Sequence, residues 1–234
     1  METVVNERNP LRLLEELNPS GLGEGNLGVI VGRTGTGKSA FIVQFALDYL
    51  LRGSRVLHVG LDEPVQRIRI FYDELIHDMA AAGAFEDPLT AQFEIERKRH
   101  IHSYLGHSFT LEKLREAIRF LREHMHFSPN VIAIDGLKVE EISETDVKTL
   151  VALAAELQAE MWITVAAHRK EIEAAVDGIP SNAAAFAKHV TAVVELRGSD
   201  EGLHAVLHTE VGAGGRVIDA ILDSASMQVA KRVE

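Results

Sequence analysis

Apolar positions along the chain follow two rhythms. Short apolar runs rich in β-branched residues, at 27–31, 56–61, 131–135 and 162–167, read as buried strands. Between them, apolar residues recur at helical spacing over 40–51, from 64 to about 82, from 110 to about 126 and from 143 to about 160. The punctuation agrees. Gly53 closes the first of these helices, and Pro64 suits the opening turn of the second. Thr110 with Glu112 starts the third, and Ser143 with Asp146 has the form of a capping box for the fourth. Residues 101–105 are a further strand candidate, and 83–98 form a connection without an assigned element. Beyond 167, a polar loop and a short Ala-rich helix precede strand-like runs at 191–197, 203–209 and 217–222, joined by Gly-containing turns. Strands that alternate with helices and then continue as a strand-only tail predict an α/β fold. Its sheet should be mainly parallel, flanked by helices and extended by antiparallel C-terminal strands.

Leu11, Leu13, Leu14 and Leu17 lie in one short amphipathic segment ending at Pro19, a leader that would dock on a neighbouring subunit. No Pro/Gly/Ser-rich linker or internal repeat divides the remainder of the chain, so the expected organisation is a leader at 1–19 and one domain at 20–234.

Composition removes whole classes. With 46% apolar and 25% charged residues, the 234-residue chain is neither a disordered tail nor a fibrous repeat. No apolar run approaches the ~20 residues that span a bilayer, and Met1 is followed at once by Glu2, Asn6 and Glu7 rather than by an apolar signal region, so a cytoplasmic protein without a membrane role is expected. The absence of cysteine excludes disulfides, thiolate zinc sites and a Cys nucleophile. A net charge of −11 opposes nucleic-acid binding unless basic residues gather on one face. Arg67 with Arg69 and the run at 97–99 are the candidates, and both read better as solvated surface.

The chemistry concentrates at residues 32–39, where Gly32, Arg33, Thr34, Gly35, Thr36, Gly37, Lys38 and Ser39 fit the pattern G-x-x-x-x-G-K-[ST]. Gly35 and Gly37 permit backbone conformations that turn successive N–H groups toward phosphate oxygens. The helix beginning near Lys38 adds its positive dipole end. Lys38 would reach the β- and γ-phosphates, and the Ser39 hydroxyl would sit on Mg²⁺. Asp135, at the end of the apolar run 131–135, is placed to support the metal from a neighbouring strand. Asp62 and Glu63 come directly after the strand at 56–61. They read either as groups facing the γ-phosphate, one of them orienting or deprotonating water, or as helix N-terminal charge ahead of Pro64.

The order of these pieces, together with Gly21, Leu22 and Gly25 before the loop and the strand at 162–168 after it, resembles the RecA-like ATPase core over about residues 20–222. It is most similar to the KaiC and DnaB-helicase branch. The resemblance implies a twisted sheet, ATP with Mg²⁺, and assembly into a homo-oligomeric ring or filament with ATP at subunit interfaces. It assigns the family's catalytic acid, a Glu two residues before the proline, to Asp62, with Glu63 one residue late. It assigns the polar residue that senses the γ-phosphate to His168, with Arg169 beside it. Where the family sends a Lys-x-Arg pair into the neighbour's site, this chain has His208, Thr209 and Glu210, and Arg197 or Arg216 is the substitute on offer.

The leading expectation is therefore a MgATP-binding ATPase, hydrolysing slowly and coupling ATP to assembly or to a conformational change in a protein partner. A non-hydrolysing ATP switch or scaffold is the alternative. A DNA motor is the minority reading. The loop at 169–182, where the helicase branch threads single strands, offers Arg169 and Lys170 against Glu171, Glu173 and Asp177, and no aromatic stacking platform. Among eleven histidines, His100 with His102 is the tightest strand-spaced pair, and nothing in the sequence completes a metal site around it.

Overall fold

The computed structural model describes residues 8–17, 21–138, 142–167, 188–209, 217–224 and 227–233. Among them, nine strands form one sheet: β1 (Leu27–Arg33), β2 (Val56–Leu61), β3 (Arg99–Tyr104), β4 (Val131–Lys138), β5 (Glu160–Ala167), β6 (Ala192–Ser199), β7 (Gly202–Thr209), β8 (Val217–Leu222) and β9 (Val229–Val233). Their order is β3-β2-β4-β5-β1-β6-β7-β8-β9. The pairings from β3 to β6 are parallel, and those from β6 to β9 are antiparallel. The described helices are α1 (Leu11–Leu17), α2 (Lys38–Leu51), α3 (Val65–Ala81), α4 (Pro88–Lys98), α5 (Leu111–His124) and α6 (Glu144–Leu157). This is the expected α/β architecture. None of these helices is long and apolar enough to cross a membrane.

Two elements have no counterpart in the apolar pattern. α4 occupies the unassigned connection: the Asp87 side chain accepts from the amides of Leu89 (3.1 Å) and Thr90 (3.3 Å), and Pro88 opens the helix. The strand β9 is short and interrupted by Lys231 and Arg232, which hides its alternation. The expected Ala-rich helix lies outside the described residues.

The sheet is covered on both faces. α1, α2, α3 and Ile95 of α4 pack on one face, the loop face, together with Ile30, Ala133 and Trp162. α5 and α6 pack on the other with Val29, Ile132, Ile134 and Ile163. Trp162 meets Phe45 of α2 edge to face at 4.8 Å, directly over Gly28, where a Cβ would stand 2.4 Å from the indole. Leu11, Leu13 and Leu14 of α1, which the sequence offers to a neighbouring subunit, are instead buried in this chain's own loop-face core. α1 is further fastened to α2 through Asp48, whose carboxylate takes Arg12 at 3.0 Å and Arg52 at 2.5 Å.

His58 of β2 is fully buried beneath α3, with Nδ1 3.0 Å from the Tyr72 hydroxyl. The Arg99 guanidinium lies over the Tyr72 ring. Burial lowers the His58 pKa to about 4. The unfolded chain takes up this proton near the ordinary histidine value of ~6.5, whereas the fold resists it. The contribution is therefore fully present above ~6.5 and is lost as pH falls toward 4, at up to about 1.4 kcal/mol per pH unit. Urea unfolding of wild type and His58→Gln between pH 7 and 4.5 should show the wild type losing its advantage on acidification. Parallel pH profiles would show that His58 does not stay neutral in the fold.

Candidate nucleotide site

The link between β1 and α2 is residues 34–37, and its shape derives from its glycines. Gly35 (φ 85°) and Gly37 (φ 79°) take left-handed conformations that side chains disfavour. Gly32 is required for a different reason, since a Cβ would stand 2.7 Å from both the Leu196 carbonyl and Thr36 Oγ1. Thr36 closes the turn by donating its amide (3.2 Å) and its hydroxyl (2.8 Å) to the Arg33 carbonyl. Gly37 is the N-cap of α2 and offers no side-chain acceptor, so the first amides of the helix keep their donors free of a cap. Arg33, Thr34 and Gly35 are exposed, while Thr36, Gly37, Lys38 and Ser39 are partly buried. Lys38 curls back and donates from Nζ to the Arg33 carbonyl at 2.7 Å. Open amides, an ammonium held by one carbonyl and a helix N-terminus at one spot fit a polyphosphate.

Asp135 ends the regular part of β4 and is 4% exposed. Its position derives from a β-bulge. The β4–β5 register runs from Ile134 opposite Ile163 to Leu137 opposite Val165, so Asp135 and Gly136 together face the single Thr164. Thr164 Oγ1 donates to Asp135 Oδ1 at 2.5 Å and accepts from the Gly136 amide at 2.9 Å. Gly136 takes φ 102°, and a Cβ there would stand 2.8 Å from the Leu61 carbonyl. Burial pushes the Lys38 ammonium below the usual lysine range, and the Asp135 carboxylate opposes that shift. The Ser39 hydroxyl and the Asp135 carboxylate are hard oxygen donors, the type Mg²⁺ accepts.

Asp62 and Glu63 part company. Asp62 has φ 58°, donates its amide to the Tyr104 carbonyl (2.8 Å), and accepts from the His107 amide at 3.3 Å. That amide, opposed by a smaller desolvation effect, leaves its pKa lowered. Its side chain lines a cavity of about 470 Å³ with Phe109, Leu111 and Ile142, on the α5–α6 side of the sheet. Glu63 turns the other way. A Cβ on Gly60 would stand 2.4 Å from Ile68 and 3.5 Å from the Glu63 Cβ, which puts Glu63 on the loop face. Gly60 is the β2 residue in register with Asp135. Glu63 Oε2 lies 3.3 Å from Arg67 Nε in the first turn of α3.

His168, Arg169, Glu210, Arg216 and the loop at 169–182 lie outside the described residues. Arg197 is held by Asp219 at 3.2 Å, and His208 is buried. His100 and His102 share a face of β3, yet among the described residues no three His, Asp or Glu side chains gather as a metal cluster. Three contributors escape a reading of the sequence alone. Thr164 is signalled only as a hydroxyl inside an apolar strand, and Gly136 only as a glycine after the strand-end acid. Met227, whose methyl fills the space where a Gly37 Cβ would sit (1.8 Å), gives no signal.

A glycine-rich loop after the central strand β1, an acid on β4 two positions away in a parallel sheet, and an antiparallel extension are consistent with a RecA-like fold. The chain belongs to the KaiC-type ATPase family, whose model, described as "ATPase: KaiC", matches residues 11–183. A search among curated proteins gives no match.

The loop geometry separates two left-handed glycines. Gly37→Ala forces both a disfavoured φ and a clash with Met227, whereas Gly83 (φ 76°) faces open space. Calorimetric titration with ATP should find affinity reduced at least ~10-fold in Gly37→Ala. Gly83→Ala should retain affinity and lose only about 1–2 kcal/mol of stability. Equal ATP affinity in the two variants would exclude the loop as the phosphate cradle.

Proposed function

We propose that this chain binds MgATP at residues 32–39 and hydrolyses it slowly, coupling the cycle to assembly or to a conformational change in a protein partner. The single observation that carries the reading is the loop geometry: Gly35 and Gly37 in left-handed conformations, α2 starting without a side-chain cap, and Lys38 Nζ turned back onto the Arg33 carbonyl at 2.7 Å. The amides at the start of α2 hold phosphate oxygens, and Lys38 exchanges the Arg33 carbonyl for the β- and γ-phosphates. Ser39 and Asp135 are the residues that would hold Mg²⁺. When bound, that ion neutralises charge that develops on the phosphate oxygens during transfer.

Of the two acids before Pro64, we assign the orientation of water to Glu63, because it lies on the loop face beside the strand residue paired with Asp135. Asp62 instead fastens the turn after β3. The polar group that senses the γ-phosphate is assigned to His168 by family resemblance. The resemblance also supports a homo-oligomer with nucleotide at subunit interfaces.

The second reading, a switch that holds ATP without turnover, is favoured by one observation: Arg197 is paired with Asp219 and so is not a free cation for a neighbour's phosphate. A DNA motor draws little support from a chain of net charge −11. Phosphate release, measured with and without single-stranded DNA, separates the three. An ATPase regulator turns over without DNA, and turnover vanishes in Lys38→Ala. Severalfold stimulation by DNA would favour the motor, and no turnover by protein that binds ATP would favour the switch. Within the ATPase reading, Glu63→Gln should lower turnover by roughly 100-fold or more, and Asp62→Asn should lower it less. The reverse ranking would return the role to Asp62.

A further inference from the structure

We infer that Thr164 is a positioning residue that sets the metal-side carboxylate, an inference resting on the metal-side role proposed for Asp135. Three observations converge on one hydroxyl. Thr164 is 1% exposed, the polar member of a run whose neighbours Met161, Trp162, Ile163 and Val165 are all in the core. A buried hydroxyl there costs stability unless it is fully used, and it is: it donates to Asp135 Oδ1 and accepts from the Gly136 amide. It also stands at the one place where the β4–β5 ladder carries two residues against one.

The bulge explains why both bonds are needed. Regular pairing through Asp135 and Gly136 would give each a partner on β5. The bulge removes that partner from one of them, and leaves a backbone amide to be satisfied inside the sheet. Thr164 supplies the acceptor through its side chain and uses its own proton to fix the carboxylate. The orientation of Asp135 is thus coupled to the backbone irregularity rather than left to rotamer preference. Gly136 completes the device, since its φ of 102° and the nearby Leu61 carbonyl leave no room for another residue.

A carboxylate fixed from behind in this way presents its remaining electron pairs in one direction. An outer-shell group of this kind typically contributes 10- to 100-fold to metal affinity. Valine is isosteric with threonine and removes both bonds. Serine keeps the hydroxyl and drops only a methyl group.

The test is the Mg²⁺ concentration giving half-maximal binding of a fluorescent ATP analogue to the full chain, for wild type, Thr164→Val and Thr164→Ser, with unfolding midpoints recorded alongside. Thr164→Val should need roughly 10-fold more Mg²⁺ or beyond, and Thr164→Ser should return the midpoint to within about threefold of wild type. If Thr164→Val does not fold, Thr164→Ala replaces it against the same serine control. A valine or alanine variant with the wild-type Mg²⁺ midpoint overturns the positioning role. So does a serine variant as impaired as valine, because a hydroxyl is then not what matters. Wild-type binding indifferent to Mg²⁺ is a different failure, since it overturns the metal-side role of Asp135 itself.

Discussion

The arrangement depends on keeping a carboxylate, Asp135, buried at the end of a strand inside the sheet. An isolated charge in that position is costly, and proteins tolerate it only with partners and hydrogen bonds. Here the Thr164 hydroxyl satisfies one oxygen from the next strand, and the Asp135 charge in turn opposes the lowering that burial imposes on the Lys38 ammonium at the start of α2. Each of those partners is held in turn. Lys38 rests on the Arg33 carbonyl, and Thr164 is locked to the Gly136 amide by the bulge. The site is therefore poised as a polar cluster whose members have provisional partners, and a polyanion can compete for Lys38 without unmaking the sheet.

The surrounding core packs closely around that cluster. The loop face is packed by Phe41, Phe45 and Trp162, with α1 clasped to α2 through Asp48. Met227, between β8 and β9, lies on Gly37, so the far end of the sheet touches the glycine-rich loop directly. Nucleotide-dependent movement of the loop would be felt at Met227 and at β9, which pairs with the chain just before α1 through the Val229 amide and the Arg8 carbonyl at 2.7 Å.

Much of this is legible in the sequence because the signals are local. Each parallel strand of the core around β1 is a compact apolar run, and the capping box at Ser143 and Asp146 forms as its residue types predict. The glycine-rich turn between β1 and α2 is spelled out by residue types whose backbone needs are known, and Gly35 and Gly37 take the left-handed conformations expected. The hidden features depend on register or on distant contact. No local pattern tells that Asp135 and Gly136 face a single residue, that Asp62 and Glu63 diverge to opposite faces, or that Met227 reaches Gly37. α4 is an intermediate case: the Asp87–Pro88 start is visible, but the weakly apolar surface of the helix gives no clear stripe. Leu11, Leu13 and Leu14 show the opposite error, where an amphipathic stripe suits a partner and the fold uses these three internally.

Whether residues 32–39 are the nucleotide cradle is decided by calorimetric titration of ATP with Mg²⁺ into the wild-type chain and into Lys38→Ala. The wild type should bind saturably. The variant should lose binding or weaken by about 100-fold, consistent with removal of a charge-assisted contact of up to ~3 kcal/mol. Equal binding by both proteins would place the nucleotide elsewhere and contradict the assignment.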